Sequence, residues 1–294
     1  MLIVIADQME DEVISEIRKL GKVEYRPADL RQALKEADAL VVRSATRVTK
    51  ELISDAKRLK VVARAGVGLD NVDQDACVEK GIKVLNTPGA STNAVAELAI
   101  GLILVSLRNV QKAHNQMKKG VWDKKGLLGS EAEGKTLGVI GYGRIGAAVG
   151  KKAHALGMKI IVYNPLPRHE DGLAQFIDNL EAFLGHADVI TLHAALTEST
   201  KNIISRDNIT KMRDGVFIIN TARGELMDED ALYDAVKSGK VAGAALDVYR
   251  EEPYKGRLLE LDNVFFTPHL GASSKEAQVR IGEELVKLLK EELE

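Results

Sequence analysis

Short apolar segments alternate with amphipathic segments over the first ninety residues of the chain. The apolar segments are rich in Val, Ile and Leu, which is typical of strands buried on both faces of a sheet. They predict strands at 2–6, 23–25, 39–43, 61–65 and 82–85. The segments between them have the apolar spacing of helices and lie at 11–20, 30–37, 49–56 and 73–80. Strands that alternate with helices favour a parallel sheet and an α/β fold.

The alternation stops at residues 86–89, and a long helical pattern follows from about Thr92 to Lys118. A second alternation begins near Gly134 and predicts six strands, at 136–140, 159–163, 189–193, 215–220, 243–247 and 264–267. Six strands with intervening helices match a doubly wound nucleotide-binding sheet. We expect the last helix, 274–289, to return to the first unit. The sequence therefore predicts one domain of residues 1–91 and 269–294, interrupted by a second domain of residues 92–268.

Composition agrees with two globular domains and excludes several classes of protein. The chain has 294 residues, of which 45% are hydrophobic and 29% are charged, and such a composition excludes wholesale disorder. The 41 Lys and Arg against 43 Asp and Glu give a net charge of -2, so no global positive field attracts nucleic acid or anionic lipid. Cys77 is the single cysteine, which excludes an intrachain disulfide or a multi-cysteine metal site. We expect Cys77 to be a small buried side chain.

Neither the N-terminus nor the longest apolar stretch has the pattern of a targeting or membrane segment. The N-terminal apolar run is short and has no basic region before it, so we interpret it as a strand rather than a signal peptide. Leu98–Leu107 is shorter than the roughly 18 residues that a membrane span needs and predicts a buried helix. We therefore expect a cytoplasmic protein without a membrane partner.

A glycine motif follows the first strand of the second domain and opens a predicted helix. Gly141, Gly143 and Gly146 have the spacing G-x-G-x-x-G. In a nucleotide-binding unit the first glycine allows a tight turn, the second allows backbone to approach a pyrophosphate, and the third allows the helix to pack closely on the strand. The helix N-terminus would face the pyrophosphate. The motif in this context predicts a dinucleotide cofactor.

The next predicted strand, 159–163, is followed by Asn164, at the position where an NAD site usually has an acidic residue that binds the adenosine ribose. An amide can bind a ribose hydroxyl but does not repel a 2'-phosphate. Arg168 and His169 follow closely and could bind such a phosphate, or they could belong to a solvated loop. The sequence thus indicates NAD and leaves NADP possible.

Candidate catalytic residues lie in loops that follow predicted strands. Arg223 follows the strand at 215–220, and His269 comes directly after Pro268 and the last strand. Open α/β sheets bind ligands at this edge, and a histidine with a cation can serve proton transfer and carbonyl polarisation. Glu252 lies beside Glu251 in a predicted loop. Nothing in the sequence around Glu252 distinguishes it from an ordinary solvent-exposed charge.

Together these motifs resemble the D-isomer-specific 2-hydroxyacid dehydrogenases, through segments 141–146, 220–224, 247–253 and 268–269. The resemblance covers nearly the whole chain. It implies a Rossmann NAD-binding domain inserted in a flavodoxin-like substrate-binding domain, with His269 as acid/base, Glu252 as its orienting carboxylate and Arg223 as the substrate-holding cation. It implies no catalytic metal, and it places the helix that begins near Thr92 in a homodimer interface.

The resemblance also implies the other ligand-binding positions. Cofactor-binding residues would be Val67, Gly141, Gly143, Arg144, Ile145, Gly146, Asn164, His193, Ala194, Ala195, Thr221, Ala222, Asp247, Gly271 and Ala272. Substrate-binding residues would be Arg43, Ser44, Arg64, Val67, Gly68 and Asn71. Among these, the backbone amides of Val67 and Gly68 would bind the substrate carboxylate.

Within the family, segments 42–46, 64–73, 242–247 and 271–280 are most similar to members that oxidise 3-phospho-D-glycerate. Arg43 and Arg64 could clamp a substrate phosphate, because guanidinium groups offer paired donors, or they could be structural. A glyoxylate or hydroxypyruvate reductase would share the same triad. A third alternative is a corepressor-like protein that senses NAD. The short segment after His269 leads us to expect no C-terminal regulatory domain.

Overall fold

The computed structural model describes residues 1–164 and 172–293, so the predicted contact of Arg168 and His169 with a cofactor phosphate lies outside the described residues. The chain divides into two compact units. Unit 1 comprises Met1–Thr92 and Ala272–Glu294, and unit 2 comprises Asn93–Gly271. Each unit contains a parallel sheet covered by helices, which is the predicted α/β class.

Unit 1 is built, in its described residues, on a five-stranded parallel sheet of order β2-β1-β3-β4-β5. This order is that of flavodoxin-like folds. The strands are β1 (Leu2–Ile5), β2 (Lys22–Tyr25), β3 (Ala39–Val42), β4 (Val61–Arg64) and β5 (Lys83–Asn86). The helices are α1 (Asp11–Leu20), α2 (Leu30–Leu34), α3 (Lys50–Ile53), α4 (Gln74–Glu79) and, from the end of the chain, α11 (Lys275–Leu293).

Both faces of this sheet are covered because its central strands are apolar on both sides. Every residue of β3 is buried. Side chains of α1 and α11 pack on one face, and side chains of α2, α3 and α4 pack on the other. α11 lies so close to α1 that a Cβ on Gly282 would overlap the Val13 side chain. The C-terminal helix therefore completes the core of unit 1.

Unit 2 contains, among its described residues, a seven-stranded parallel sheet of order β12-β11-β10-β9-β6-β7-β8. Its strands are β6 (Thr136–Ile140), β7 (Lys159–Tyr163), β8 (Ala174–Phe176), β9 (Val189–Leu192), β10 (Val216–Asn220), β11 (Val241–Leu246) and β12 (Val264–Phe266). Its helices are α5 (Thr92–Leu107), α6 (Val110–Lys118), α7 (Arg144–Ala155), α8 (Leu180–His186), α9 (Arg206–Lys211) and α10 (Glu229–Ser238). The sequence predicted six of these strands and missed β8, because three residues are too few to show a period.

The strand order of unit 2 reverses between β6 and β9, which are neighbours in the sheet. Such a switch point opens a crevice at the carboxyl ends of the strands, where doubly wound sheets bind ligands. The glycine motif follows β6 and His193 follows β9. The topology therefore places both predicted cofactor segments at the crevice.

The predicted helix from Thr92 to Lys118 is two helices in the structure, bent by 66° between α5 and α6. Asn109 separates them with a left-handed φ of 52°, a conformation that Asn tolerates better than most residues. Its side-chain amide donates to the Leu128 carbonyl at 3.1 Å. The apolar pattern continues through this position, so only the tertiary contact reveals the break.

The second boundary between the units falls after Gly271 rather than after Pro268 as predicted. The reason is a hydrogen-bonded loop: the N–H groups of Leu270 and Gly271 donate to the Asp247 carboxylate at 2.6 and 2.8 Å. Asp247 follows β11 of unit 2. His269 and the two residues after it are therefore part of unit 2.

Within the described part of the chain, no individual helix has the length and apolarity to span a membrane. α5 and α6 together have that length and composition but are sharply bent, and α5 contributes buried residues to the core of unit 2. The same residues contain no group of three His, Cys, Asp or Glu side chains that could hold a metal ion. Cys77 is buried, as predicted.

Candidate active site

The glycine motif forms a loop whose three glycines are needed for three different reasons. Gly141 has a φ of +89°, and a Cβ there would overlap the backbone of His193 and Ala194. A Cβ on Gly146 would overlap the Gly141 carbonyl oxygen, so α7 packs directly on the loop. A Cβ on Gly143, by contrast, would have no atom within 4 Å in the described structure. Gly143 therefore borders open space at the start of α7.

This open space has the donors that a pyrophosphate requires. α7 begins at Arg144, and its N-cap Gly143 supplies no side-chain cap. The first N–H groups of a helix have no intrahelical partner and favour an anion. Arg144 and Ile145 are the residues that carry the first of them. The loop therefore fits a dinucleotide pyrophosphate.

A second feature that fits a cofactor is an unpaired hydroxyl beside β10. Thr221 Oγ1 is buried and has no hydrogen-bond partner among the described residues. Asn220 holds the loop around it, because its side chain accepts from Ala222 N at 3.0 Å and donates to Arg223 O at 2.8 Å. A buried hydroxyl without a hydrogen-bond partner lowers folding stability. A bound ligand would supply the missing hydrogen bond. Thr221 and Ala222 would thus border the cofactor.

Asn164 follows β7 and contacts the glycine loop directly. Its Oδ1 accepts a hydrogen bond from Tyr142 N at 3.3 Å, and Gly141 N donates to the Tyr163 carbonyl at 3.0 Å. The amide therefore occupies the position where an acidic residue usually meets the ribose, and it supplies no negative charge there.

The segment after β9 lies beside the same loop. His193 Nε2 is 2.9 Å from Thr191 Oγ1, and burial lowers the pKa of His193 to about 3. This imidazole is therefore neutral at neutral pH and does not serve as an acid there. Ala194 is buried against Gly141, whereas Ala195 is exposed and its carbonyl accepts from Thr200 Oγ1 at 2.7 Å.

The predicted acid/base residue and its carboxylate partner are in contact. His269 Nδ1 lies 2.9 Å from Glu252 Oε2 and 3.1 Å from Oε1. Their side chains are 47% and 40% exposed, so the pair is open to solvent and substrate. A carboxylate at Nδ1 fixes the tautomer and leaves Nε2 to exchange a proton. Glu252 Oε1 also accepts from Tyr249 N at 3.3 Å.

His269 itself has a left-handed backbone, with a φ of 55°, and the residues around it are held by Asp247. The Asp247 side chain is fully buried. It accepts from Thr267 Oγ1 and Leu270 N at 2.6 Å and from Gly271 N at 2.8 Å. These three charge-assisted hydrogen bonds hold residues before and after His269 and therefore restrain its loop strongly. Asp247, predicted at the cofactor, thus also shapes the His269 loop.

Arg223 follows β10 and precedes a short 3-10 helix, Gly224–Leu226. Its guanidinium donates to the Ala222 carbonyl at 2.6 Å. Gly224 next to it packs so closely on the backbone of Tyr249 and Arg250 that a Cβ would overlap both. This packing attaches the Arg223 loop to the segment that leads to Glu252.

In unit 1 the predicted carboxylate-binding loop follows β4. The N–H groups of Val67 and Gly68 make no hydrogen bond within residues 1–164 and 172–293, while the Val67 carbonyl accepts from Asn86 Nδ2 at 2.6 Å. The Arg64 guanidinium folds over Gly66. The loop therefore presents two amides beside a cation, which suits a carboxylate.

The loop after β3 is held by residues that the sequence did not single out for this purpose. Asp7 accepts from Arg43 N at 2.6 Å and from Thr46 Oγ1 at 2.5 Å. Asn71, a predicted substrate ligand, donates to the Arg43 and Thr46 carbonyls at 2.8 and 2.7 Å. Ser44 is exposed on this loop. Asn71 thus uses its two amide hydrogens to shape the loop.

The Arg43 guanidinium is also engaged within unit 1. It donates to the Gln8 carbonyl at 3.1 Å and to Gln278 Oε1 at 2.7 Å, and Glu10 lies 3.8 Å away. Gln278 Nε2 in turn donates to the carbonyl of Ala272, a predicted cofactor ligand, at 2.7 Å. The sequence assigned no role to Gln8, or to Gln278 within segment 271–280, because their contacts join segments far apart in the chain.

Residues 100–271 match the family model for the NAD-binding domain of D-isomer specific 2-hydroxyacid dehydrogenases. This chain belongs to that family. Hydroxypyruvate reductase of Thermotoga maritima is 53% identical over 90% of this chain and 88% of its own length. D-3-phosphoglycerate dehydrogenase of Methanocaldococcus jannaschii is 47% identical over 99% of this chain but only 58% of its own length. A glyoxylate reductase structure from Paecilomyes thermophila has a TM-score of 0.92, 32% identity and coverage of 100% and 95% of the two chains.

Family membership resolves the broad class of function. The chain is a nicotinamide-dependent dehydrogenase of D-2-hydroxy acids, and the contact of His269 with Glu252 is compatible with the predicted acid/base pair. The corepressor-like alternative has no observation in its favour. The relatives act on different acids, so the substrate has to be argued from this chain's own residues.

Proposed function

We propose that this dehydrogenase oxidises 3-phospho-D-glycerate to 3-phosphonooxypyruvate with NAD, the first step of serine synthesis, and catalyses the reverse reduction. The observation that carries the substrate proposal is the placement of two arginines. Arg43 follows β3 and Arg64 is the last residue of β4, and these strands are parallel neighbours, so both arginines lie at the carboxyl edge of one sheet. Guanidinium groups suit a phosphate because they offer paired donors.

The chemistry follows from the residues that would meet the substrate. In oxidation, neutral His269 accepts the hydroxyl proton at Nε2 while Glu252 stabilises the resulting imidazolium at Nδ1. Arg223 holds the carboxylate and polarises the carbonyl that forms. NAD, when bound at the glycine loop, would supply the acceptor for the hydride of the substrate carbon that carries the hydroxyl. In reduction the imidazolium returns the proton to the carbonyl oxygen.

Hydroxypyruvate, which lacks the phosphate, is a second candidate substrate with its own support. Both terminal nitrogens of Arg43 already bind protein acceptors, the Gln8 carbonyl and Gln278 Oε1. A substrate phosphate at Arg43 would have to compete with them. The relative that is 53% identical over 88% of its length is a hydroxypyruvate reductase. The two candidates share the acid/base pair and differ only in what they require of the arginines.

Initial rates with purified protein distinguish these substrates. We expect saturable NAD reduction with 3-phosphoglycerate, and Arg64→Ala and Arg43→Ala should each raise its KM by about 10- to 100-fold, the cost of one charge-assisted contact. Arg47→Ala, which removes an exposed arginine from the loop after β3, is the matched control. Turnover of hydroxypyruvate but not of 3-phosphoglycerate would assign the reductase function instead.

The cofactor proposal can be tested separately at Asn164. Asn164→Asp keeps the acceptor that binds Tyr142 N but adds a charge that repels a 2'-phosphate. We expect the ratio of kcat/KM for NAD to that for NADP to rise at least about tenfold, since like charges in contact cost several kcal/mol. Asn164→Ala should weaken both cofactors alike. An unchanged ratio in Asn164→Asp would place the adenosine ribose elsewhere.

We also propose that the enzyme is a cytoplasmic homodimer that associates through α5, α6 and the segment after them. Exposed apolar side chains in this region support the proposal: Leu104, Val110, Met117, Val121, Trp122 and Leu128. Association would remove these exposed apolar side chains from water. Light scattering should give a mass of two chains, and Trp122→Glu with Leu128→Glu should give one. A monomeric wild type would contradict this proposal.

A further inference from the structure

Tyr249 joins the two strand ends that carry the acid/base pair. Its hydroxyl lies 2.9 Å from the Leu246 carbonyl and 2.8 Å from the Thr267 carbonyl. Leu246 is the last residue of β11, and Thr267 comes directly after β12, the neighbouring strand. One side-chain hydroxyl therefore bridges the carboxyl ends of two adjacent parallel strands.

The Thr267 carbonyl also fixes the backbone of His269. It accepts a hydrogen bond from His269 N at 3.0 Å in addition to the Tyr249 hydroxyl. Support of this kind stabilises the left-handed φ of 55° at His269, a conformation that is uncommon for residues other than glycine. Asp247 holds the loop on the other side through Leu270 and Gly271. Tyr249 thus acts on the N-terminal side of His269.

Tyr249 also contacts the second member of the pair. Its backbone N–H donates to Glu252 Oε1 at 3.3 Å, and the other carboxylate oxygen lies 2.9 Å from His269 Nδ1. A single residue therefore has one hydrogen bond to the carboxylate and another to the carbonyl that orients the histidine.

Neighbouring groups fix the position of both the ring and the hydroxyl of Tyr249. The ring stacks on Tyr254 with 4.5 Å between centroids and on Phe266 with 6.5 Å. Burial, followed by the nearby Asp247 charge, raises the pKa of Tyr249. The hydroxyl is therefore protonated at physiological pH, and its single hydrogen is shared between the two strand carbonyls.

We propose that Tyr249 is a positioning residue that sets the geometry of the His269–Glu252 pair. The inference rests on the proposed function, because it takes that pair as the acid/base of the reaction. Tyr249 acts only through other residues: the Thr267 carbonyl for His269 and its own N–H for Glu252.

Tyr249→Phe removes the hydroxyl and keeps the ring and the N–H. We expect kcat to fall about tenfold, below the roughly 100-fold cost of a 1 Å misplacement, with the KM for the dinucleotide and the dissociation constant of NADH unchanged. The matched control is Tyr233→Phe, which removes a buried hydroxyl that lies 3.2 Å from Glu260 Oε2 in the same unit. It should leave kcat unchanged.

A double-mutant cycle with His269→Ala separates positioning from general stability, because the Tyr249 hydroxyl and His269 N share the Thr267 carbonyl. If the hydroxyl acts through His269, Tyr249→Phe should change the residual kcat by less than about twofold in the His269→Ala background. A full tenfold loss in that background, or unchanged kcat in the single variant, would overturn the inference. The assay uses whichever 2-keto acid the wild type reduces, so turnover of hydroxypyruvate alone would refute the substrate proposal and leave the cycle measurable. Absence of any wild-type turnover would refute both.

Discussion

His269→Ala should lower kcat by about 10³-fold, within the 10²- to 10⁴-fold range of general acid/base catalysis, and leave NADH affinity unchanged. The reason is that Nδ1 is held by Glu252 at 2.9 Å, so Nε2 is the nitrogen that can exchange the substrate proton. His193 cannot replace it, because burial lowers the pKa of His193 to about 3 and its Nε2 is 2.9 Å from Thr191 Oγ1. The measurement is kcat in both directions, with NADH binding followed by fluorescence.

Two companion variants sharpen this test. His186→Ala removes an exposed histidine on α8 and should leave kcat unchanged. Glu252→Gln retains an acceptor for Nδ1 but no charge to stabilise the imidazolium, so its loss should be smaller than that of His269→Ala. Turnover within tenfold of wild type in His269→Ala would assign the proton transfer to a different group.

Gly141→Ala should lower stability, whereas Gly143→Ala should leave stability unchanged and weaken dinucleotide binding, although the two glycines are two residues apart. At Gly141 the backbone has a φ of +89° and a Cβ would overlap the backbone of His193 and Ala194. Left-handed strain and overpacking together should cost about 2–5 kcal/mol of folding free energy. At Gly143 a Cβ meets nothing within 4 Å in the described structure, so stability should change by less than about 0.5 kcal/mol.

Dinucleotide binding should reveal why Gly143 is glycine. A Cβ there would occupy the space beside the first N–H groups of α7, where a pyrophosphate would lie. We expect the dissociation constant of NADH to rise by at least about tenfold in Gly143→Ala, with an unchanged Tm. Unchanged NADH affinity in this variant would exclude a pyrophosphate at this loop. Wild-type stability in Gly141→Ala would contradict the close approach of β6 and β9.

The parts of the fold that the sequence predicted are those that a local pattern can specify. Buried parallel strands such as β3 need apolar residues on both faces, and the glycine motif needs its spacing wherever it occurs. Elements whose ends depend on distant partners were predicted less well. β8 exists by pairing with β7, and the break at Asn109 is held by the Leu128 carbonyl.

The candidate site residues also divide into those that a local sequence pattern identifies and those that it does not. Arg223 and His269 could be selected because they follow strands at the edge where α/β sheets bind ligands. Glu252 had no signal of its own and was named only through the family resemblance, yet the structure places its carboxylate 2.9 Å from His269 Nδ1. Tyr249 and Gln278 were missed, because their hydrogen bonds connect groups that no sequence period relates.

The sequence by itself determined the α/β class, the glycine loop and the family of this protein, because these depend on residue type and short-range spacing. Only the tertiary structure decided how Asp247 and Tyr249 hold the His269 loop, how Arg43 is engaged by Gln8 and Gln278, and where the two units divide. A hydrogen bond needs its donor and acceptor within about 3 Å, and for residues far apart in the chain only folding brings them to that distance.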